Sequence, residues 1–150
     1  SSAPTAFWGG LLMPDGNPAM GFNSTIDHVW RLQWASAIVA AIATLPISLP
    51  NDMSTAAGFT IELYGETVGT ASAADAAQTG TILARFGVNN TSAAGSTHPD
   101  FTSTPSWQGI TVASGSLTTD TVSIQYTPSA HAQRAINVYN MRASYTKKTS

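Results

Sequence analysis

The chain has 150 residues, a formal net charge of −2, no cysteine, and a charged fraction of 9%, against the roughly 25% usual in globular proteins. The missing cysteines exclude a disulfide framework, thiolate metal sites and thiol nucleophiles. With Arg85 the only basic side chain between Arg31 and Arg134, a phosphate-reading stripe cannot form, which excludes the electrostatic footprint of nucleic-acid binding.

Residues Ser1 to Asn23 are dense in breakers, with Gly9, Gly10, Pro14, Gly16, Pro18 and Gly21, and read as an irregular arm. The same segment carries Phe7, Trp8, Leu11, Leu12, Met13, Met20 and Phe22. A solvated linker has no need of them, so the arm is expected to lie against an apolar surface, either its own domain or a neighbour. The beginning of the chain lacks the basic and apolar regions of a signal peptide, and no run is long enough for a membrane-spanning helix.

From Ile26 to Ile47 alanines favour helix, whereas Trp, Ile, Val and Thr favour strand. Leu32, Trp34, Ile38 and Ile42 keep one parity, and the stretch reads as strand, with helix over residues 35–45 as the alternative. Ala41, Ala43 and Leu45 on the other parity suggest a covering layer. Pro46 and Pro50 mark an edge or exit. Phe59, Ile61 and Leu63 then alternate with polar neighbours in a half-buried strand, and Gly65 reads as its end. A strand around Ile82, Ala84 and Phe86 precedes a long stretch of turn formers, Asn89 to Ser106, expected to be a loop facing outward or toward a neighbour. Trp107 to Val112 is the next strand. The final stretch alternates twice, through Val122, Ile124 and Tyr126 and then through Ile136, Val138 and either Asn140 or Met141, which predicts two antiparallel strands and a chain that ends inside a sheet.

Strands separated by turn signals, with no firm helix, predict an all-β fold: a single-domain, jelly-roll-like antiparallel β-sandwich (residues 24–150) behind an irregular N-terminal arm (residues 1–23). With few Lys or Glu to guard sheet edges, such a protein is expected to cover them by association.

Signals for chemistry are sparse. Asp27-His28 and His98-Pro99-Asp100 are the local acid–imidazole pairs and His131 stands alone; none has triad or metal-ligand spacing, and surface or turn polarity is the simpler reading. Glu62 and Glu66 share a strand face, as a glycosidase pair would, but read as the solvent side of that strand. Of the aromatics, Trp8, Trp30, Trp34, Trp107, Tyr64, Tyr126, Tyr139 and Tyr145 could line a sugar-binding groove and are more simply core or interface. No catalytic residue, metal or cofactor is expected.

Trp30 and Trp34 in a first strand, the turn Leu49-Pro50-Asn51-Asp52-Met53, a penultimate strand ending in Pro128-Ser129-Ala130-His131 and the core Ala135 to Tyr139 resemble small jelly-roll proteins of tailed-bacteriophage virions. The resemblance spans about Val29 to Tyr145. It implies an eight-stranded jelly roll, commonly a homotrimer, acting as a capsid decoration (cement) protein or as the head of a tail fibre. The stand-alone domain favours decoration, while the acidic run usual in the last strands is missing.

The expectation is therefore a non-enzymatic virion structural protein on the capsid exterior, assembled in the host cytoplasm, that trimerises and bridges major capsid protein subunits. Phe7, Trp8, Leu11, Leu12, Met13, Met20 and Phe22 are its candidate contacts with capsid or sister subunit. The alternative is a receptor- or glycan-binding head of a tail fibre or spike, with a host-surface glycan as ligand.

Overall fold

The structure is a computed structural model, and it describes residues 11–12, 19–23, 29–49, 53–54, 58–69, 76–86, 92–113 and 121–147. Among these residues every regular element is a strand: β1 (Leu11–Leu12), β2 (Ala19–Asn23), β3 (Val29–Trp34), β4 (Ile42–Thr44), β5 (Ile47–Ser48), β6 (Phe59–Val68), β7 (Gly80–Phe86), β8 (Ser92–Thr97), β9 (Ser106–Val112), β10 (Thr121–Pro128) and β11 (Ala135–Tyr145). Among the described residues no helix is long and apolar enough to cross a membrane.

The strands form two antiparallel sheets. One has the order β1-β4-β10-β7-β8, with β5 also paired to β10; the other has the order β2-β3-β11-β6-β9. From β3 onward the chain changes sheet at every connection except β4–β5 and β7–β8. This is the jelly-roll winding, with β1 and β2 as added edge strands. The core between the sheets is sealed by residues such as Trp34, Ile61, Ile82, Phe86, Val122 and Ile136, each at most 2% exposed. Trp34 meets Tyr126 edge to face at 5.3 Å, joining the two layers.

Several expectations are corrected by the winding. The stretch Ile26 to Ile47 is neither one strand nor a helix: β3 ends at Trp34, and the chain crosses to the other sheet before β4 begins at Ile42. Ala37 adopts φ 67° at the crossing, a left-handed conformation disfavoured for a residue with a Cβ. It is held by its N–H to the His131 carbonyl at 2.9 Å and by the neighbouring Trp34 indole N–H to the Ala40 carbonyl at 2.8 Å. The shared parity of Leu32, Trp34 and Ile42 was a true core signal, but it serves strands in opposite layers. On the other parity, Leu45 is 44% exposed rather than covered.

Within residues 1–23, β1 pairs with β4 and β2 with β3, so two pieces of the supposed arm are edge strands. Gly65 does not end β6. A Cβ there would stand 2.6 Å from the Asn137 carbonyl oxygen and 2.9 Å from the Phe101 ring, so the glycine admits that ring while the strand continues to Val68. The supposed loop Asn89 to Ser106 contains β8, paired with β7 over six residues, and the buried Phe101, which bridges to Gln78. Its small residues gave no alternation to read. Finally, β10 and β11 do not pair with each other; each lies inside its own sheet. A bulge between Val138 and Asn140 selects Met141 as the next residue to pack against the core.

Candidate functional site

The outward residues of the β2-β3-β11-β6-β9 sheet bring together, among the described residues, three aromatic rings, two carboxylates, a guanidinium and two amides. Strand β6 alternates buried Phe59, Ile61 and Leu63 with half-buried Thr60, Glu62, Tyr64 and Glu66. The β6–β9 register sets Tyr64 opposite Trp107 and Glu62 opposite Gly109, and the β6–β11 register sets Glu62 opposite Arg142 and Glu66 opposite Asn137. Residues directly opposite on neighbouring strands share a face, so this pattern assembles one patch.

Three aromatic rings follow one another across the patch. Tyr64 lies 5.2 Å from Trp107 and 6.3 Å from Tyr139, centroid to centroid. The Arg142 guanidinium carbon is 3.9 Å from the centre of the Trp107 ring, while its Nε donates to Glu62 Oε1 at 2.9 Å. The guanidinium is thereby held between a π face and a carboxylate.

Beside the rings runs a hydrogen-bond relay across three strands. The Gln33 amide donates to Asn137 Oδ1 at 2.9 Å, the Asn137 amide donates to the Tyr139 hydroxyl at 3.3 Å, and that hydroxyl donates to Glu66 Oε1 at 3.0 Å. Each partner is oriented by the next. Arg31, two residues before Gln33 on β3, has its Nε buried without a hydrogen-bond partner. The charged residues on the described part of this face, Arg31, Arg142, Glu62 and Glu66, cancel in sign, so the patch is polar without a net field.

The histidine candidates belong elsewhere. His98 is 1% exposed. It donates from Nδ1 to the Pro99 carbonyl at 2.6 Å and accepts the Tyr126 hydroxyl at Nε2, 3.1 Å away. Burial holds its pKa below the ordinary histidine value, against smaller opposing effects of the Pro99 hydrogen bond and the Asp100 charge. Burial likewise pushes the Tyr126 hydroxyl upward. His131 ties the crossing to the β10–β11 corner, with Nδ1 2.7 Å from the Arg134 carbonyl and Nε2 2.8 Å from the Ile38 carbonyl. Both imidazoles are thus buried structural groups rather than the surface or turn groups expected. Asp27 and His28 lie outside the described residues. Among the described residues no group of three or more His, Cys, Asp or Glu is placed to hold a metal.

Of the candidate contact residues, Leu11 and Leu12 fall in one sheet and Met20 and Phe22 in the other. Phe7, Trp8 and Met13 lie outside the described residues. Among the candidate groove aromatics, Trp34 and Tyr126 are core, whereas Trp107, Tyr64 and Tyr139 meet on the outward face. Arg142, Asn137 and Gln33 carried no sequence signal; only the register of three strands brings them in.

No family model and no curated protein sequence matches the chain. Among solved structures, it is similar to TmCBM61 in complex with beta-1,4-galactotriose, with a TM-score of 0.47 and 9% identity over 91% of this chain and 83% of that one. It is also similar to the enzymatically active domain of tailspike protein 4 of bacteriophage CBA120, with a TM-score of 0.49 and 12% identity over 91% of this chain. The chain spans 18% of that tailspike structure. At these identities the likeness concerns the all-β sandwich fold.

Proposed function

We propose that this domain binds a glycan on the outward face of the β2-β3-β11-β6-β9 sheet. One observation carries the reading: the Trp107–Tyr64–Tyr139 row of rings lies alongside the Gln33–Asn137–Tyr139–Glu66 relay and the Glu62–Arg142 pair. Aromatic rings offer apolar platforms to the C–H faces of pyranose rings, and oriented amides, carboxylates and a guanidinium supply donors and acceptors for hydroxyls. The balanced charge suits a neutral sugar better than an anionic one.

The role of Glu62 and Glu66 is recognition. Each is engaged by a neighbour, Arg142 and Tyr139 respectively, which orients a carboxylate as a hydrogen-bond acceptor. In a phage context, the reading is the host-surface-binding head of a tail fibre or spike. An array of neutral and acidic oligosaccharides, followed by titration calorimetry of the strongest ligand, tests it. Binding to a neutral oligosaccharide that is lost in both Trp107→Ala and Tyr64→Ala supports the site; no ligand, or binding indifferent to both variants, rejects it.

A second reading draws on the exposed apolar residues Val39, Leu45, Val68 and Tyr145 and on the charge-poor composition. It is a homotrimeric capsid decoration protein bridging major capsid subunits from outside. Light scattering of the purified protein and its addition to undecorated capsids test this reading. A monomer that does not bind capsids removes it.

A further inference from the structure

Arg31 stands at the β3 end of the recognition face. Leu32 and Trp34 are fully buried in the core, so the alternation of β3 turns half-buried Arg31 and Gln33 onto the outward side. Leu32 pairs with Val138; Arg31 immediately precedes the one and Tyr139 immediately follows the other, which makes the two outward side chains neighbours across β3 and β11. The row Trp107–Tyr64–Tyr139 is therefore continued by a guanidinium. In the strand order β9-β6-β11-β3 it crosses three interstrand spacings of about 4.8 Å each.

The other polar groups of the face are engaged with one another: Arg142 with Glu62, Tyr139 with Glu66, Gln33 with Asn137. Arg31 differs. Its Nε is buried without a hydrogen-bond partner, neither carboxylate of the described face pairs with it, and the residues opposite Arg31 and Gln33 on β2 are Gly21 and Ala19, whose side chains offer no acceptor. A guanidinium partly withdrawn from water with no acceptor from the fold is a cost to the folded chain, and an acceptor brought by a ligand offsets it.

We propose that Arg31 closes the glycan site at its β3 end, its planar fork of N–H donors taking two adjacent hydroxyl oxygens on the terminal unit of a neutral oligosaccharide that lies across the strands. Neighbouring hydroxyls of one pyranose present such a pair to a fork that a point charge cannot imitate. A single sugar seated on Trp107 does not reach Arg31, so the ligand class is a chain of sugar units read at one end by Arg31. Arg31 acts in this way only if the face binds a glycan at all, so the experiment has to separate the two.

Neutral gluco-, galacto- and manno-oligosaccharides, from monosaccharide to tetrasaccharide, are titrated by calorimetry into the parent, Arg31→Met and Arg31→Lys. In the series that binds, affinity for the parent is expected to rise at least about tenfold from the shortest to the longest binding member, as a hydrogen bond from a charged donor provides. Arg31→Met is expected to flatten that rise and leave the shortest ligand unaffected, and Arg31→Lys to recover only part of it. Since Arg31→Met removes no partner from the fold, its urea midpoint should match or exceed the parent's. A rise with length that survives in Arg31→Met, a parent indifferent to length, a lowered urea midpoint, or binding confined to acidic oligosaccharides overturns the role of Arg31 and leaves a glycan face standing. No sugar bound by the parent, in these series or on the array, removes the glycan reading and Arg31 with it.

Discussion

The two outward sheet faces share one winding and one core but differ in what they hold. Across β4, β10 and β7, the outward positions include Ala43, Ser123, Gln125, Thr127, Thr81, Leu83 and Arg85, with an Arg85–Gln125 hydrogen bond of 2.8 Å. No aromatic ring stands among them. Across β3, β11, β6 and β9, three rings, two carboxylates, a stacked guanidinium and an amide relay are fixed relative to one another. Side chains that serve only solubility need not be oriented, so a face whose polar groups orient one another is the one to search for a ligand.

The sharpest way to break this contrast is to remove the indole at one end of the row of rings. Trp107→Ala should weaken binding of the array-identified oligosaccharide at least tenfold by calorimetry, whereas Leu83→Ala on the opposite face should leave it unchanged. A stacked ring contributes about 0.5–1.5 kcal/mol beyond the area it buries, and with that burial added the loss reaches the roughly 1.4 kcal/mol of a tenfold change. Equal effects from both substitutions would dissolve the distinction.

Next in size is the relay. Asn137 is 5% exposed, and Asn137→Leu strands the Gln33 amide and removes the donor to the Tyr139 hydroxyl, which keeps its bond to Glu66. A buried group left without its partner costs about 1–3 kcal/mol, which urea denaturation would read directly. Gln125→Ala on the other face should cost less than about 0.5 kcal/mol.

A pH series reports on the interior that both faces share. The folded-state pKa of His98 is depressed below 6.5, so its contribution to stability is fully present above about pH 6.5. That contribution declines as pH falls from there through the depressed value, because the unfolded chain takes up the proton first. The loss between pH 7.5 and 5 should be reduced in His98→Phe. On the recognition face the smallest stability effect belongs to Arg142→Gln. Its ion pair with Glu62 is half exposed on the arginine side, at 48%, so stability should change by less than about 1 kcal/mol, and the change should shrink in high salt.

The alternation of Phe59, Ile61 and Leu63, and of Val122, Ile124 and Tyr126, was legible because each stretch is one strand with one buried face. The run through Ala35 to Ala41 was not, because its parity continues across a change of sheet, and a change of layer leaves no mark on period two. Strand β8 was hidden by composition: Ser-Ala-Ala-Gly-Ser-Thr has no apolar alternation, and it is a strand through its pairing with β7. For the candidate site, the shared face of Glu62 and Glu66 could be read from one strand. The meeting of Tyr64 with Trp107, 43 positions later in the chain, depends on register, which local sequence does not encode.

The bulge in β11 shifts the phase of everything after it. Before it, Ile136 and Val138 face inward; beyond it, the regular alternation would have sent Asn140 and Arg142 into the core. One additional residue reverses that, placing Met141 inside and the guanidinium on the indole. A single-codon insertion in a plain sheet strand is therefore enough to create this side of the patch in one step, and a single-codon deletion at residue 139 is enough to erase it. Homologues that differ in length by one residue here should differ in ligand, however similar the rest of their sequences.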